Sequence, residues 1–347
     1  MEIVYSLILN VALLFIMMMP GVIMKKCGLS QDGFGKGLSN LVLYVAQPAL
    51  IFLAYVRPFD SEILKNAVVV LVLSVIAHAL FSIITLMCFK KAKDSARRML
   101  RFATIFSNAA FMGIPLIDQL LGGVATLYAS VYNITFNMFL WTLGVYICTS
   151  DRDEDGDGFV DGDVRRGVEA IDDDGNGTID RYVKKKKASS SFLKVLIHPV
   201  TLAAALGLVF FFLPIESYIP KLAMDSLTML KNLVAPLSMI VLGLRVADID
   251  LTGFFKDKHI YLFLALRHAV LPILVFLVMR MLQICGVNIS ETVFLVTLIL
   301  AAAPAATSAT MFAEKYDCDA AYVSKIVVFS TIISIATMPL IVMLTNI

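Results

Sequence analysis

Charged side chains are scarce in this chain. Lys, Arg, Asp and Glu together make up 16% of its 347 residues, whereas soluble domains carry about 25%. Hydrophobic residues reach 59%, and the mean hydropathy is +0.85. An apolar excess of this size is too large for one soluble core, so lipid must solvate part of it. The composition therefore predicts an all-α polytopic membrane protein.

Several functional classes lack the residues they would need. The five cysteines are scattered and form no Cys-x-x-Cys pair, so we predict neither a cysteine metal site nor a disulfide framework. The net charge is +2 without a basic face, and we expect no nucleic-acid partner. No span offers a nucleophile, a base and an acid together, so we expect no enzyme. The first apolar run lacks a basic leader, which predicts a retained helix rather than a signal peptide.

Ten apolar runs are long enough to cross a bilayer, which takes about 20 residues. They lie at residues 3–24, 38–56, 67–89, 102–121, 124–149, 192–213, 223–246, 260–283, 292–312 and 321–345. Lys and Arg are concentrated in one set of loops, including the central one, and such loops face the cytoplasm. We therefore predict a multi-pass protein of the cell membrane, surrounded by lipid, with both termini outside and the central loop inside.

The helix count divides the chain into two halves of opposite orientation. The predicted units are a five-helix repeat at residues 1–150, a cytoplasmic acidic loop at 151–190, and a second five-helix repeat at 191–347. Weak matches at equivalent helices support a duplication: His78-Ala resembles His268-Ala, and a mid-span proline occurs in helix four and in helix nine. Inverted repeats of this kind are typical of secondary carriers.

Helices four and nine are predicted to be broken at these prolines, because proline removes a backbone hydrogen bond. Each would then present a half-helix N-terminus at the membrane centre, where its partial positive charge suits an anion. Small and polar residues surround both breaks. The predicted substrate-binding residues there are Asn108, Gly113, Pro115, Pro304, Thr307 and Ser308. A structural kink without a ligand is the alternative interpretation.

Other polar residues inside spans are further candidates, because burying them in a membrane is costly. Arg267 and His268 lie within helix eight. A cation there either pairs with a substrate carboxylate or holds a partner group, and the alternative is that Arg267 extends to the cytoplasmic interface. Asn133 and Asn137 share one stripe of helix five with Trp141. They either line a cavity or join neighbouring helices.

Several segments together resemble the auxin efflux carrier family, in its compact prokaryotic form. The segments lie at residues 106–116 (FSNAAFMGIPL), 132–144, 267–272, 303–316 and 330–339. The resemblance implies ten helices arranged as a scaffold part and a transport part, with helices four and nine crossing at Pro115 and Pro304. It also implies elevator-like movement of small organic anions, such as dicarboxylates or indole-type acids, without ATP, and a homodimer. Sodium/bile-acid symporters have a similar architecture, so the coupling ion stays open.

The central loop departs from that family, because it carries two acidic repeats with the spacing of calcium-binding loops. Alternating carboxylates followed by glycine can wrap around a hard cation. The predicted calcium ligands are Asp153, Asp155, Asp157 and Asp161 in the first repeat, and Asp172, Asp174, Asn176 and Asp180 in the second. The usual glutamate at position twelve is replaced by Val164 and Val183, which weakens the site or shifts a ligand to Asp163 or Glu169. A disordered acidic linker is the alternative, and a grafted segment is also consistent with the sequence.

These observations lead to one main functional prediction and two alternatives. The main prediction is a secondary carrier of small organic anions. The first alternative is the same carrier gated by calcium at the central loop, and the second is a calcium-sensing membrane receptor or channel without carrier activity. Paired mid-membrane breaks favour the carrier, since a receptor needs no inverted repeat.

Overall fold

The computed structural model describes residues 2–31, 33–90, 92, 94–149, 168–171, 181–184, 199–213, 218–247, 257–316 and 318–344. Within these ranges the chain forms ten helices, two of them broken. They are α1 (Glu2–Lys26), α2 (Phe34–Tyr55), α3 (Ser61–Met87), α4a (Asp94–Ile105), α4b (Ala109–Leu121), α5 (Gly123–Thr149), α6 (Pro199–Phe212), α7 (Lys221–Ala247), α8 (Lys258–Ile284), α9a (Glu291–Ala302), α9b (Ser308–Lys315) and α10 (Ala320–Met343).

The predicted fold class is confirmed. Seven of these helices are long and apolar enough to cross a membrane, and α4b, α6 and α9a are shorter apolar helices. Many large apolar side chains on their outer faces are exposed, as expected for a protein that lipid solvates. The chain is an all-α polytopic membrane protein.

One boundary differs from the prediction. Helix four begins at Asp94 rather than at residue 102, inside a stretch that we had assigned to a basic loop. Arg101 donates hydrogen bonds to the carbonyl of Leu86 at 2.7 Å, and Arg98 donates to the carbonyl of Cys148 at 3.0 Å. Both carbonyls lie at helix C-termini, where cations are favourable. The basic residues therefore belong to a polar half-helix, which a search for apolar runs misses.

The two halves make matching helix contacts. α1 packs along α7, and α6 packs along α2. A β-carbon added to Gly21 would clash with the carbonyl of Ile240, and one added to Gly243 would clash with the carbonyl of Met18. Small residues let membrane helices approach this closely. These four helices form one group, here called the outer group, and α3, α4, α5, α8, α9 and α10 pack among themselves as the inner group.

Three prolines are accommodated by a wider helical turn instead of a break. Each follows a π-helical turn by two residues: Pro48 follows Val42–Ala46, Pro115 follows Ala109–Gly113, and Pro272 follows Leu266–Val270. A π turn re-pairs the backbone around an irregularity, and neighbouring side chains can satisfy the groups it leaves. In α4b the carbonyl of Ala110 accepts a hydrogen bond of 2.8 Å from Gln47 of α2.

The central loop contributes a short antiparallel hairpin. Strand β1 (Val168–Ile171) pairs with β2 (Arg181–Lys184), so that Glu169 stands opposite Val183 and Ile171 opposite Arg181. The eight predicted calcium ligands, at residues 153–161 and 172–180, all lie outside the described residues. Calcium binding therefore stays a prediction.

Candidate functional site

The broken helices four and nine cross through two short extended segments. The segments form an isolated antiparallel bridge between Ser107 and Ala305. The backbone N–H of Asn108 donates to the carbonyl of Pro304 at 2.7 Å, and that of Ala306 donates to the carbonyl of Phe106 at 2.9 Å. This bridge satisfies backbone groups that lipid or a dry core would leave unpaired.

The position of the break in helix four corrects our expectation. Pro304 lies at the crossing as predicted, but Pro115 does not. The chain leaves the helix after Ile105 and re-enters it at Ala109, before the π turn that accommodates Pro115. Ser107 and Asn108 belong to residue types that compete with the helix for backbone hydrogen bonds, which favours the break there without a proline.

Arg267 lies at the crossing and is completely buried. Its guanidinium donates to the carbonyls of Thr104 at 3.1 Å, Ala301 at 3.1 Å and Ala303 at 3.0 Å. These carbonyls stand at the C-terminal ends of α4a and α9a, which carry partial negative charge. The arginine is therefore matched to two helix ends. Its predicted extension to the cytoplasmic interface is wrong, because the guanidinium is buried among these carbonyls.

His268 supports the same crossing from the neighbouring position. Its Nε2 lies 2.8 Å from the hydroxyl of Ser330, and its Nδ1 lies 3.0 Å from the hydroxyl of Thr337. Ser330 in turn accepts a hydrogen bond of 2.9 Å from the backbone N–H of Ala305. His268 is therefore connected to the crossing by the hydroxyl of Ser330.

A cavity of about 200 Å³ lies beside the crossing, between the outer and inner groups. Five of the predicted substrate-binding residues line it, and five do not. The lining residues are Asn108, Asn133, Asn137, Thr307 and Ser308. The others are Gly113, Pro115, Arg267, His268 and Pro304, and the structure does not bring them to the cavity wall. Gly113 has a packing role, since a β-carbon there would fall 2.6 Å from Leu300.

Polar atoms at the cavity wall have no hydrogen-bond partner within the described part of the chain. They are Nδ2 of Asn108, Oδ1 of Asn133 and Oγ of Ser308. Asn108 is 2% exposed and Asn133 is 4% exposed. A buried polar group without a partner costs about 1–3 kcal/mol, so three together point to a ligand or water as the missing partner.

Two helix caps show the same feature. Asn108 occupies the N-cap of the turn that opens α4b, and Thr307 occupies the N-cap of α9b. Both are favoured N-cap residue types, yet neither side chain makes a capping hydrogen bond. Both half-helices therefore begin at the cavity wall with a cap residue whose side chain is not used for capping.

Sequence reasoning missed two cations in the cavity wall. Arg245 of α7 and Lys315 of α9b both line it, and neither was among the residues predicted to bind substrate. Lys315 Nζ also lies 5.1 Å from the ring centre of Trp141. Both cations lie near the end of an apolar run, which is a signal that they could reach a site in the membrane. A cation in the adjoining loop has the same position in sequence, so the signal does not distinguish the two cases.

A larger vestibule of about 780 Å³ adjoins the cavity. Arg245, Lys315, Ser39, Leu43 and Met311 line both spaces. The vestibule continues to the connection between α1 and α2, where Lys25 and Lys36 lie. This is the side that the loop charges predict to be cytoplasmic, so the cavity connects with that side.

A different contact joins the two groups near the opposite helix ends. Lys231 of α7 forms an ion pair of 3.0 Å with Asp118 of α4b. Thr126 of α5 donates a hydrogen bond of 2.8 Å to the same carboxylate. The pair is half-buried, with side-chain exposures of 25% and 16%. It links the outer and inner groups on the side away from the vestibule.

A lipid-solvated helical fold with two broken helices crossing beside a polar cavity defines a membrane transporter, not an enzyme. Comparison with known proteins identifies its family. The model of the family described as "Membrane transport protein" matches residues 6–342, and the chain belongs to this auxin efflux carrier family. A relative described as an uncharacterized transporter, from Methanothermobacter thermautotrophicus, is 24% identical over 94% of each chain.

Proposed function

We propose that the protein is a secondary carrier of small organic anions in the cell membrane, and that the anion binds in the cavity beside the crossing. The observation that carries this proposal is the buried, unpartnered Nδ2 of Asn108 at the N-terminus of α4b. An amide N–H at a helix N-terminus suits a carboxylate, because the helix adds partial positive charge.

The charge of the cavity supports an anionic substrate. Among the described residues, its lining includes two cations, Arg245 and Lys315, and no acid. Aromatic rings also line the cavity and suit an apolar or planar body; they belong to Phe111, Phe136, Trp141 and Phe312. A site with a few placed donors on a partly apolar wall is typical for a small organic molecule.

An elevator-like movement fits the position of the cavity. Its walls come from α2, α6 and α7 of the outer group and from α4, α5 and α9 of the inner group. Sliding one group along the other would carry the substrate from the vestibule side to the far side. In the present conformation the vestibule leads from the connection between α1 and α2 to the cavity, and the ion pair of Lys231 with Asp118 joins the groups on the far side.

Uptake into proteoliposomes tests the carrier. Labelled malate and indole-3-acetate would be supplied with and without a pH gradient, to wild type and to Asn108→Ala. We expect saturable uptake by the wild type and a loss of about 10- to 100-fold in kcat/KM for the variant, the worth of one hydrogen bond to a charged group. The matched control is Asn10→Ala, whose amide donates within α1 to the carbonyl of Ser6.

Two outcomes of the uptake experiment would contradict the proposal. Absence of uptake of both acids under every gradient would reject the proposed substrate class. Saturable uptake that Asn108→Ala leaves unchanged would place the site elsewhere. The coupling ion follows from the gradient that drives uptake.

Calcium control of the same carrier is the second candidate. One observation favours it: the pairing of Ile171 with Arg181 brings together the two ends of the stretch that contains the second acidic repeat. Calcium would be held by the alternating carboxylates. Chelating calcium on the loop side of the proteoliposomes should change the uptake rate, and the double variant Asp172→Asn, Asp174→Asn should abolish that change.

A further inference from the structure

Arg245 occupies an unusual electrostatic position. Its backbone lies in the last turn of α7, but its side chain reaches the inner group. Nη1 donates a hydrogen bond of 3.2 Å to the carbonyl of Thr307, the N-cap residue of α9b. The guanidinium thus stands at the N-terminal end of that half-helix, which already carries partial positive charge.

Comparison with Arg267 shows what this position lacks. Arg267 donates to three carbonyls at the negative ends of two half-helices, so the surrounding dipoles balance its charge. Arg245 donates one hydrogen bond to a backbone carbonyl, and that carbonyl lies at the positive end of a half-helix. A negative charge bound beside it would balance both the guanidinium and the helix end.

In the cavity, none of the described lining residues is an acid that could supply that balance. Among the residues that line it, Lys315 adds a second cation. Among the described residues, Glu314 is the acid that lines the vestibule, where it is exposed and shares the wall with Lys25 and Lys36. Glu314 also interacts electrostatically with Arg245, so it balances part of the guanidinium charge from the vestibule side and none of it from inside the cavity. The lining of the two spaces therefore carries an excess of positive charge, greatest in the wall that they share.

Unpartnered donors stand next to the guanidinium. Ser308 follows Thr307 directly, and its hydroxyl has no partner among the described residues. Asn108, which is 98% buried, lines the same cavity, and its Nδ2 likewise has no partner in the part of the chain that the structure describes. A planar carboxylate can accept from a guanidinium and from neutral donors at once, because it has four lone-pair sites.

We propose that Arg245 binds a carboxylate of the transported anion directly and thereby sets the selectivity of the carrier for anions over their neutral analogues. Arg245 stands where the vestibule joins the cavity, so an entering anion meets it before the donors of Asn108 and Ser308. Lys315 adds attraction without the fixed fork of the guanidinium. This inference rests on the proposed function and names the residue that reads the charge of its substrate.

The test combines binding with transport. Purified wild type, Arg245→Gln, Arg245→Lys and the control Lys258→Gln would be titrated with malate and with its neutral diamide, using the ligand-induced rise in Tm. Lys258 is an exposed cation at the start of α8 and is in the lining of neither space. KM for malate would be measured in proteoliposomes. We expect Arg245→Gln to weaken malate binding and raise KM about 10- to 100-fold. Arg245→Lys should recover part of the loss, and Lys258→Gln should stay near wild type.

The binding arm separates this inference from the carrier itself. Malate binding that Arg245→Gln abolishes supports the inference even if no uptake occurs. In that case only the proposed carrier function is rejected. Malate binding or uptake that Arg245→Gln leaves unchanged overturns the inference while the carrier stands. Absence of both binding and uptake overturns both. The Tm without ligand, and recovery in Arg245→Lys, distinguish lost binding from misfolding.

Discussion

Replacing Arg267 by methionine should destabilise the protein whether or not substrate is present. The change keeps a long side chain but removes the donors for the carbonyls of Thr104, Ala301 and Ala303. Each buried acceptor left unpaired costs about 1–3 kcal/mol, which gives roughly 3–9 kcal/mol for three. Relief from burying the guanidinium charge offsets part of this. We expect a net loss of about 3 kcal/mol or more.

Thermal unfolding of the purified protein in detergent measures this loss. The matched control is Arg280→Met on the same helix, since Arg280 lies 5.5 Å from the ring centre of Phe276 and donates to Gln283 but does not reach the crossing. Arg267→Met should lower the Tm of the unliganded protein far more than the control. Arg267→Lys should give an intermediate value, because one ammonium cannot reproduce the fork of donors.

A ligand role for Arg267 predicts a different pattern. If Arg267 bound the substrate, the methionine variant would keep the unliganded Tm and lose only the rise caused by malate. That outcome would refute the assignment of Arg267 to the crossing. It would also show that the cavity extends to α8, contrary to the lining described above.

Two further predictions concern the contacts between helices. Gly243→Ala should destabilise the protein by about 1–3 kcal/mol, because its β-carbon would meet the backbone of α1 and overpacking carries this cost. The control is Gly37→Ala, where a β-carbon meets nothing within 4 Å. An equal Tm for the two variants would contradict the close packing of α1 against α7. Lys231→Asp and Asp118→Lys should each change the uptake rate, and the double exchange should bring the rate most of the way back to that of the wild type. Additive effects in this double-mutant cycle would show that the ion pair does not take part in transport.

Much of the fold follows from the sequence because lipid imposes a simple rule. Each apolar run had to become a helix, since only a helix satisfies its own backbone in a membrane, and ten such runs became the ten helices. The same rule missed the start of helix four, because it finds only apolar runs. α4a is polar, and hydrogen bonds from Arg98 and Arg101 to neighbouring helix ends stabilise it, which no local pattern records.

The candidate site was predictable in its donors but not in its exact backbone. Asn108, Thr307 and Ser308 were found because polar residues beside a mid-span break are costly without a role. The break in helix four was placed at Pro115 because proline is the strongest local helix breaker. In the structure a π turn accommodates that proline, and the break falls at Ser107, where the bridge to Ala305 repairs the backbone. That partner lies almost 200 residues away in sequence.

The two arginines show why the role of a buried charge depends on more than its depth. In sequence, Arg267 lies well inside a span and Arg245 near the end of one, so Arg267 was the predicted substrate ligand. Arg267 points at negative helix ends, which balance it, whereas Arg245 points at a positive one. A cation that its surroundings already balance gains little from an anion, whereas an anion beside Arg245 would interact favourably with the guanidinium and with the helix N-terminus. Helix polarity at the side-chain tip therefore assigns Arg267 to the structure and Arg245 to the substrate.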